Sequence, residues 1–118
     1  MNPETFKIKA KAIANAEFLP SGIATAICEG MHHDVQVINA QVADELLDIK
    51  GIKATFVARK NKNGITYVSA RSLGDVNVQV ILERFGGGGH LNVAGAQVND
   101  EPEEIIKKIL EEIEEGEK

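Results

Sequence analysis

The chain has 118 residues, 43% of them hydrophobic and 26% charged, with a formal net charge of −5 at pH 7. That length suits one domain, 1–118, with a modest core, and no apolar run approaches the ~20 residues of a membrane span. Net acidity disfavours a general DNA-binding protein, which carries a basic face, and the lone Cys28 excludes an internal disulfide. Nothing at the N-terminus reads as a signal peptide, so the cytosol is the expected location.

Residues 12–28 hold two apolar stretches around Leu19-Pro20-Ser21-Gly22, which predicts a strand, a turn and a strand. The preceding TFKIKAKA fits either an extension of the first strand or a short lead-in helix. Val35, Ile38, Val42, Leu46 and Ile49 recur at three- and four-residue steps, the spacing of an amphipathic helix capped by Asp34 and ended near Gly51. Two β-rich runs then flank Asn63-Gly64, the dipeptide of a type I′ hairpin turn. A two-residue turn there pairs Lys62 with Ile65 and Phe56 with Arg71; a longer loop shifts that register.

Asp75 is placed to cap a second helix, VNVQVILERF, with Val76, Val80, Ile81 and Phe85 on its apolar face and Gly86 as its stop. VAGAQV reads as a helical turn passing into a strand. Asp100 with Glu103 resembles a capping box, Pro102 sits in the first turn, and Ile105, Ile106, Ile109, Leu110 and Ile113 form one stripe of a last helix. Residues 114–118 are expected to fray. Hairpins mixed with helices predict a mixed α/β (α+β) fold, a mixed sheet of about five strands with helices packed on it.

One stretch resists a purely structural reading. RFGGGGHLNVAGAQ, residues 84–97, sets four glycines before His90. Each glycine costs roughly 0.5–1 kcal/mol of backbone entropy relative to alanine, more than a helix cap alone repays. Bare backbone lets peptide N–H groups approach a ligand, and successive amides turned one way form a nest for phosphate oxygens. A helix opening at His90 would add its dipole to the same anion site. The bland alternative is a flexible loop with His90 idle. Ala94, Gly95 and Ala96 imply close packing at the loop's exit.

The other candidates carry less. His32 and His33 of MHHDV are neighbours that point apart, and no second Asp or His cluster supports a metal site. Arg59, Lys60 and Lys62 fall at a hairpin tip, where charge is ordinarily solvated. Arg71 alone reads as a surface residue or half of a salt bridge, and Cys28 as a small buried apolar residue.

GGGGHLNVAG resembles the GGGH-x-x-A-A-G signature of the C-terminal DHH-associated domain (DHHA1 type) of DHH phosphoesterases, with Val93 where alanine is usual. Ser69-Ala70-Arg71-Ser72 is similar to that domain's S-x-R-S element. With IANAEFLPSGIA near the start, the wording is most similar to bacterial membrane-anchored cyclic-di-AMP phosphodiesterases of the GdpP type, over residues 8–110. The resemblance implies a fragment of a larger enzyme. A separate N-terminal DHH domain would hold two manganese ions, and this domain would supply the substrate-binding wall of the cleft.

Carried over by position, Arg71 with Ser72 contacts phosphate or base, and Gly87, Gly88 and Gly89 cradle phosphate, with Gly86 at the head of the loop. His90 hydrogen-bonds the phosphate and Asn92 helps from the adjacent turn. The resemblance implies no catalytic residue, metal or cofactor in this chain, which alone should be inactive. The parent would hydrolyse cyclic-di-AMP to a linear dinucleotide. Alternatives are an oligoribonuclease or single-strand exonuclease acting on short oligonucleotides, or a nucleic-acid-binding or dimerisation module like that of alanyl-tRNA synthetases. Expected partners are the cyclic dinucleotide or short oligonucleotide, the DHH domain and a second copy in a homodimer. The parent would be anchored in the cell membrane, with this part cytoplasmic.

Overall fold

A computed structural model describes residues 2–30 and 35–116. The lead-in segment is helical: α1 (Pro3–Ala14) starts on Asn2, whose side chain accepts the Thr5 N–H at 2.8 Å, with Pro3 in the first turn. It runs through Ala12–Ala14, where a strand was expected. The turn at 19–22 then joins β1 (Glu17–Phe18) to β2 (Ile23–Ile27), closed by Leu19 N–H to Ile23 C=O at 2.8 Å. Helix α2 (Val35–Leu47) stops short of Gly51 and leaves Ile49 40% exposed. Its expected cap, Asp34, lies outside the described residues, as do His32 and His33.

β3 (Ala54–Lys60) and β4 (Thr66–Ser72) form the expected hairpin with a different register. Phe56 pairs with Ala70 and Thr55 with Arg71, one residue away from the two-residue-turn prediction. The cause is Asn61. Its Oδ1 accepts the N–H groups of Asn63 (2.9 Å) and Ile65 (3.0 Å), stabilising a five-residue loop, 61–65. Because side chains alternate along a strand, a one-residue shift puts Arg71 on the opposite face from Phe56's partner.

α3 (Val78–Glu83) is capped by Asn77 rather than Asp75, Oδ1 accepting the Val80 N–H at 3.1 Å. Starting later rotates the buried face to Val78 and Leu82 and leaves Val80 47% exposed. Gly88–His90 forms β5 and Val93–Val98 forms β6, strand throughout with no helical turn. The last helix, α4 (Pro102–Gly116), is buried along Ile105, Ile106 and Ile109 and extends through the residues expected to fray as far as Gly116.

The sheet has six strands in the order β1-β2-β3-β4-β6-β5. Only β2 and β3 are parallel, as their crossover through α2 requires; the other pairs are antiparallel. The sixth strand is the glycine run itself. Two cores follow from the alternation of side chains. Phe56, Val68, Ala70 and Ala94 pack with α3 and α4 on one face, and Ala24, Ala26 and Val57 pack with α1 and α2 on the other. β3, between them, is buried at every position but Lys60.

Candidate functional site

α2 covers only part of its face. It is pinned over β3 and β4 by Asn39, whose Nδ2 donates to Tyr67 C=O at 2.9 Å, and by Thr55, whose hydroxyl donates to Ala43 C=O at 3.0 Å. Among the described residues no helix covers the sheet beyond β4 on this side, so the α2 side of β6 and β5 is open. Cross-strand pairing arranges that open area in rows. One row runs His90, Val93, Arg71; the next runs Gly88, Gly95, Ser69; a third pairs Gln97 with Tyr67. Arg71 and His90 thus share a face two strands apart, about 10 Å between backbones. A shallow cleft of about 540 Å³ lies along it, lined by Tyr67, Ser69, Arg71, Gly86, Gly87, Gly95 and Gln97, among others.

Each of the four glycines is bare for its own reason. Gly86 (φ +80°) and Gly87 close α3: their N–H groups donate to Glu83 C=O (3.2 Å) and Leu82 C=O (2.8 Å), the paired bonds of a Schellman motif. A Cβ on Gly87 would stand 2.2 Å from Gly95 O and 2.6 Å from Ala96 Cβ. A Cβ on Gly89 (φ +146°) would stand 2.4 Å from Val93 O and 2.8 Å from Ala94 Cα. Both point to the core side, where β5 is pressed against β6. Gly88 points the other way. It has no positive φ, and a Cβ there would meet nothing within 4 Å. The fold therefore does not require glycine at 88.

The expected amide cup is therefore not what the chain builds. Two of its four N–H groups are spent on the end of α3, and the rest belong to an edge strand. His90 closes that strand and opens no helix, so no helix dipole reaches it. The remaining site residues divide. Arg71 lines the cleft, while Gly88 and His90 share its sheet face on the edge strand beside it and do not line it. Ser72, three residues along from Ser69, faces the core instead; it is buried, and its hydroxyl accepts the Gly74 N–H at 2.9 Å. Asn92 is exposed in the β5–β6 turn, its C=O accepting the Ser72 N–H at 3.0 Å and tying the turn to the end of β4. Leu91 C=O accepts from Val78 N–H at 3.1 Å, so α3 holds the same turn from the other side.

Arg71 is itself held in place. Its Nε donates to Asp44 Oδ1 on α2 at 2.9 Å and its Nη1 to Ala70 C=O at 2.9 Å. The other cations lie elsewhere. Arg84 pairs with Glu112 of α4 at 3.2 Å, and Lys60 with Glu101 at 2.8 Å near the far end of the hairpin. Arg59 is not solvated at all: it is fully buried, its Nε donating to Gly30 C=O at 3.0 Å. Burial lowers its pKa, offset in part by Cys28. The Cys28 thiol is pushed up to about 11 by the same desolvation, against the pull of Arg59. A second cleft of about 580 Å³ opens between α1 and α4; five glutamates (Glu17, Glu29, Glu103, Glu111 and Glu114) against two lysines (Lys11 and Lys107) line it, a net negative balance that disfavours a phosphate.

A family model for the DHHA1 domain matches residues 23–116. The chain belongs to this family. The DHHA1 domain here is 47% identical, over 92% of its length, to a cyclic-di-AMP phosphodiesterase, GdpP, of Geobacillus thermodenitrificans. It is 40% identical over 81% of its length to the cyclic-di-AMP phosphodiesterase PdeA of Listeria monocytogenes. The chain spans only 17% and 15% of the lengths of these two relatives. A crystal structure of an exopolyphosphatase-related protein from Bacteroides fragilis superposes with a TM-score of 0.77, at 18% identity, covering 95% of this chain and 34% of that one. That likeness is one of fold.

Within this DHHA1 domain the glycine run on β5 and the S-x-R-S element on β4 flank the same strand, β6, which no spacing along the chain announces. Ser69 rather than Ser72 shares the face of Arg71, and strand alternation is the signal that could have told them apart. Asp44, Gln97 and Gly95 were not singled out for this face, since each reaches it only through tertiary pairing. Among the described residues no helix is long and apolar enough to cross a membrane. No three His, Cys, Asp or Glu side chains among them gather as metal ligands; the two manganese ions that the family resemblance implies are expected on the separate DHH domain.

Proposed function

We propose that the open face of β4, β6 and β5 is the substrate-binding wall of a phosphodiesterase acting on cyclic-di-AMP, with catalysis supplied by another domain of the parent protein. The observation that carries this reading is the shared face of Arg71 and His90, in one cross-strand row with Val93 between them and the bare Gly88–Gly95 pair in the row alongside. A phosphate oxygen resting over the Gly88–Gly95 pair would have no Cβ beneath it, with the Arg71 guanidinium and the His90 imidazole of the adjoining row as donors. The names of the two bacterial relatives supply the substrate. Metal chemistry on phosphorus belongs to the partner domain, and this chain's share is to hold and orient the phosphate and offset its charge.

Titration calorimetry with cyclic-di-AMP, its linear product and a short RNA tests the reading. Arg71→Ala and His90→Ala should each weaken cyclic-di-AMP binding by about tenfold or more, the loss expected for a charge-assisted hydrogen bond. His90→Ala should not alter the unfolding transition appreciably, because His90 is exposed; Arg71→Ala, which removes a side chain only 16% exposed, is compared at a temperature where both proteins are folded. Preference for the RNA over both dinucleotides, with strong salt dependence, would favour a nucleic-acid-binding module instead.

A further inference from the structure

Arg71 does not reach the open face as a free side chain. Of its five N–H donors, Nε is spent on Asp44 Oδ1 at 2.9 Å and one of Nη1 on Ala70 C=O at 2.9 Å. Three remain, all on the Nη nitrogens, and this is the edge that can make a bidentate contact with phosphate. Asp44 can hold Nε because α2 cannot slide. Val42, Ala43 and Leu46 around it are fully buried, and Asn39 and Thr55 lock the helix to β3 and β4.

The electrostatics set a paradox that the geometry resolves. A carboxylate beside an anion site lowers the local positive potential and should weaken anion binding. Asp44 is also 62% exposed at its side chain, too solvated for its ion pair to matter much to folding. What it supplies is order. An arginine tied at Nε has already lost the rotamer freedom that a ligand would otherwise have to remove. We infer that Asp44 is a positioning residue of the phosphate site, fixing Arg71 on the face it shares with His90, beside the bare Gly88–Gly95 pair, with its remaining Nη donors left for a ligand. This inference rests on the binding role proposed above for that face.

The test is cyclic-di-AMP affinity of the 118-residue chain, measured for the unmodified protein, Asp44→Ala, Asp44→Asn, Arg71→Ala and the Asp44→Ala/Arg71→Ala double variant. Asp44→Ala should weaken binding about three- to tenfold, although it removes a negative charge. Asp44→Asn keeps the Oδ1 acceptor and should bind as well as the unmodified chain or more tightly. In the Arg71→Ala background, Asp44→Ala should cause no further weakening. The Arg71 Nε–Hε NMR signal should lose its hydrogen-bonded shift in Asp44→Ala and keep most of it in Asp44→Asn. If Asp44→Ala binds as well as or better than the unmodified chain while Arg71→Ala weakens binding, the inference fails and the site stands. If Arg71→Ala leaves affinity unchanged, or the unmodified chain binds nothing, the site itself is wrong and the inference falls with it.

Discussion

Beneath α2 the sheet face is filled: Thr55, Val57 and Arg59 of β3 are fully buried under the helix. Two and three strands along, the same face carries Val93, 43% exposed, and the bare Gly95 on β6, then the bare Gly88 and the exposed His90 on β5. One half spends its side chains on packing. The other withholds them, and the difference separates two uses of glycine in a single run. Gly87 and Gly89 are bare because neighbouring backbone leaves no room, and Gly88 is bare where there is room to spare. A row of small residues is ambiguous until each position is asked what a methyl group there would touch.

The largest effect should come from the packed side of the run. Gly87→Ala puts a Cβ 2.2 Å from Gly95 O, a backbone atom that cannot yield without moving β6. It should destabilise the domain by about 3 kcal/mol or more in chemical denaturation. A loss under about 1 kcal/mol would mean that β5 is not seated as described.

The covered half should also show itself in pH dependence. The Cys28 thiol titrates near pH 11 when folded and near its ordinary value of 9 when unfolded. Its folded pKa is the raised one, so the stability it contributes is complete below pH 9 and lost as pH rises toward 11. The loss is on the order of 1 kcal/mol per pH unit over that window. Cys28→Ala should be less steep over the same range, and parallel denaturation curves for the two proteins would show that the thiol is not buried. The smallest stability effect should be at Gly88. Gly88→Ala should leave the denaturation midpoint within about 0.5 kcal/mol of the unmodified protein, or raise it slightly, while weakening cyclic-di-AMP binding. Equal affinity with the extra methyl would remove the reason given for a glycine at 88.

How legible these features were in the sequence follows from how local their causes are. The helix stop at Gly86 and the Ile stripe of α4 could be read directly, because a C′ glycine and a three-to-four-residue period act within one element. Asn2-Pro3 was an equally local start signal for α1, hidden by the alternation of lysines after it. The hairpin was visible and its register was not, since Asn61 acts through a side chain on two amides and so sets the loop length. β5 was invisible. Glycine has no strand preference, and only pairing with β6 makes those residues a strand. Arg71 and His90 could be named from their motifs, but their common face, the exclusion of Ser72 and the hold of Asp44 exist only once β4, β6 and α2 are assembled.

The proposed binding role rests on one face of one sheet. Backbone and side-chain NMR of the isotopically labelled chain, titrated with cyclic-di-AMP, reports on it directly. Shifts should concentrate at Ser69, Arg71, Gly88, His90 and Gly95, and spare the α1–α4 cleft around Thr25, Ile106 and Leu110. Saturable shifts confined to that opposite cleft, with Gly88 and His90 unmoved, would contradict it.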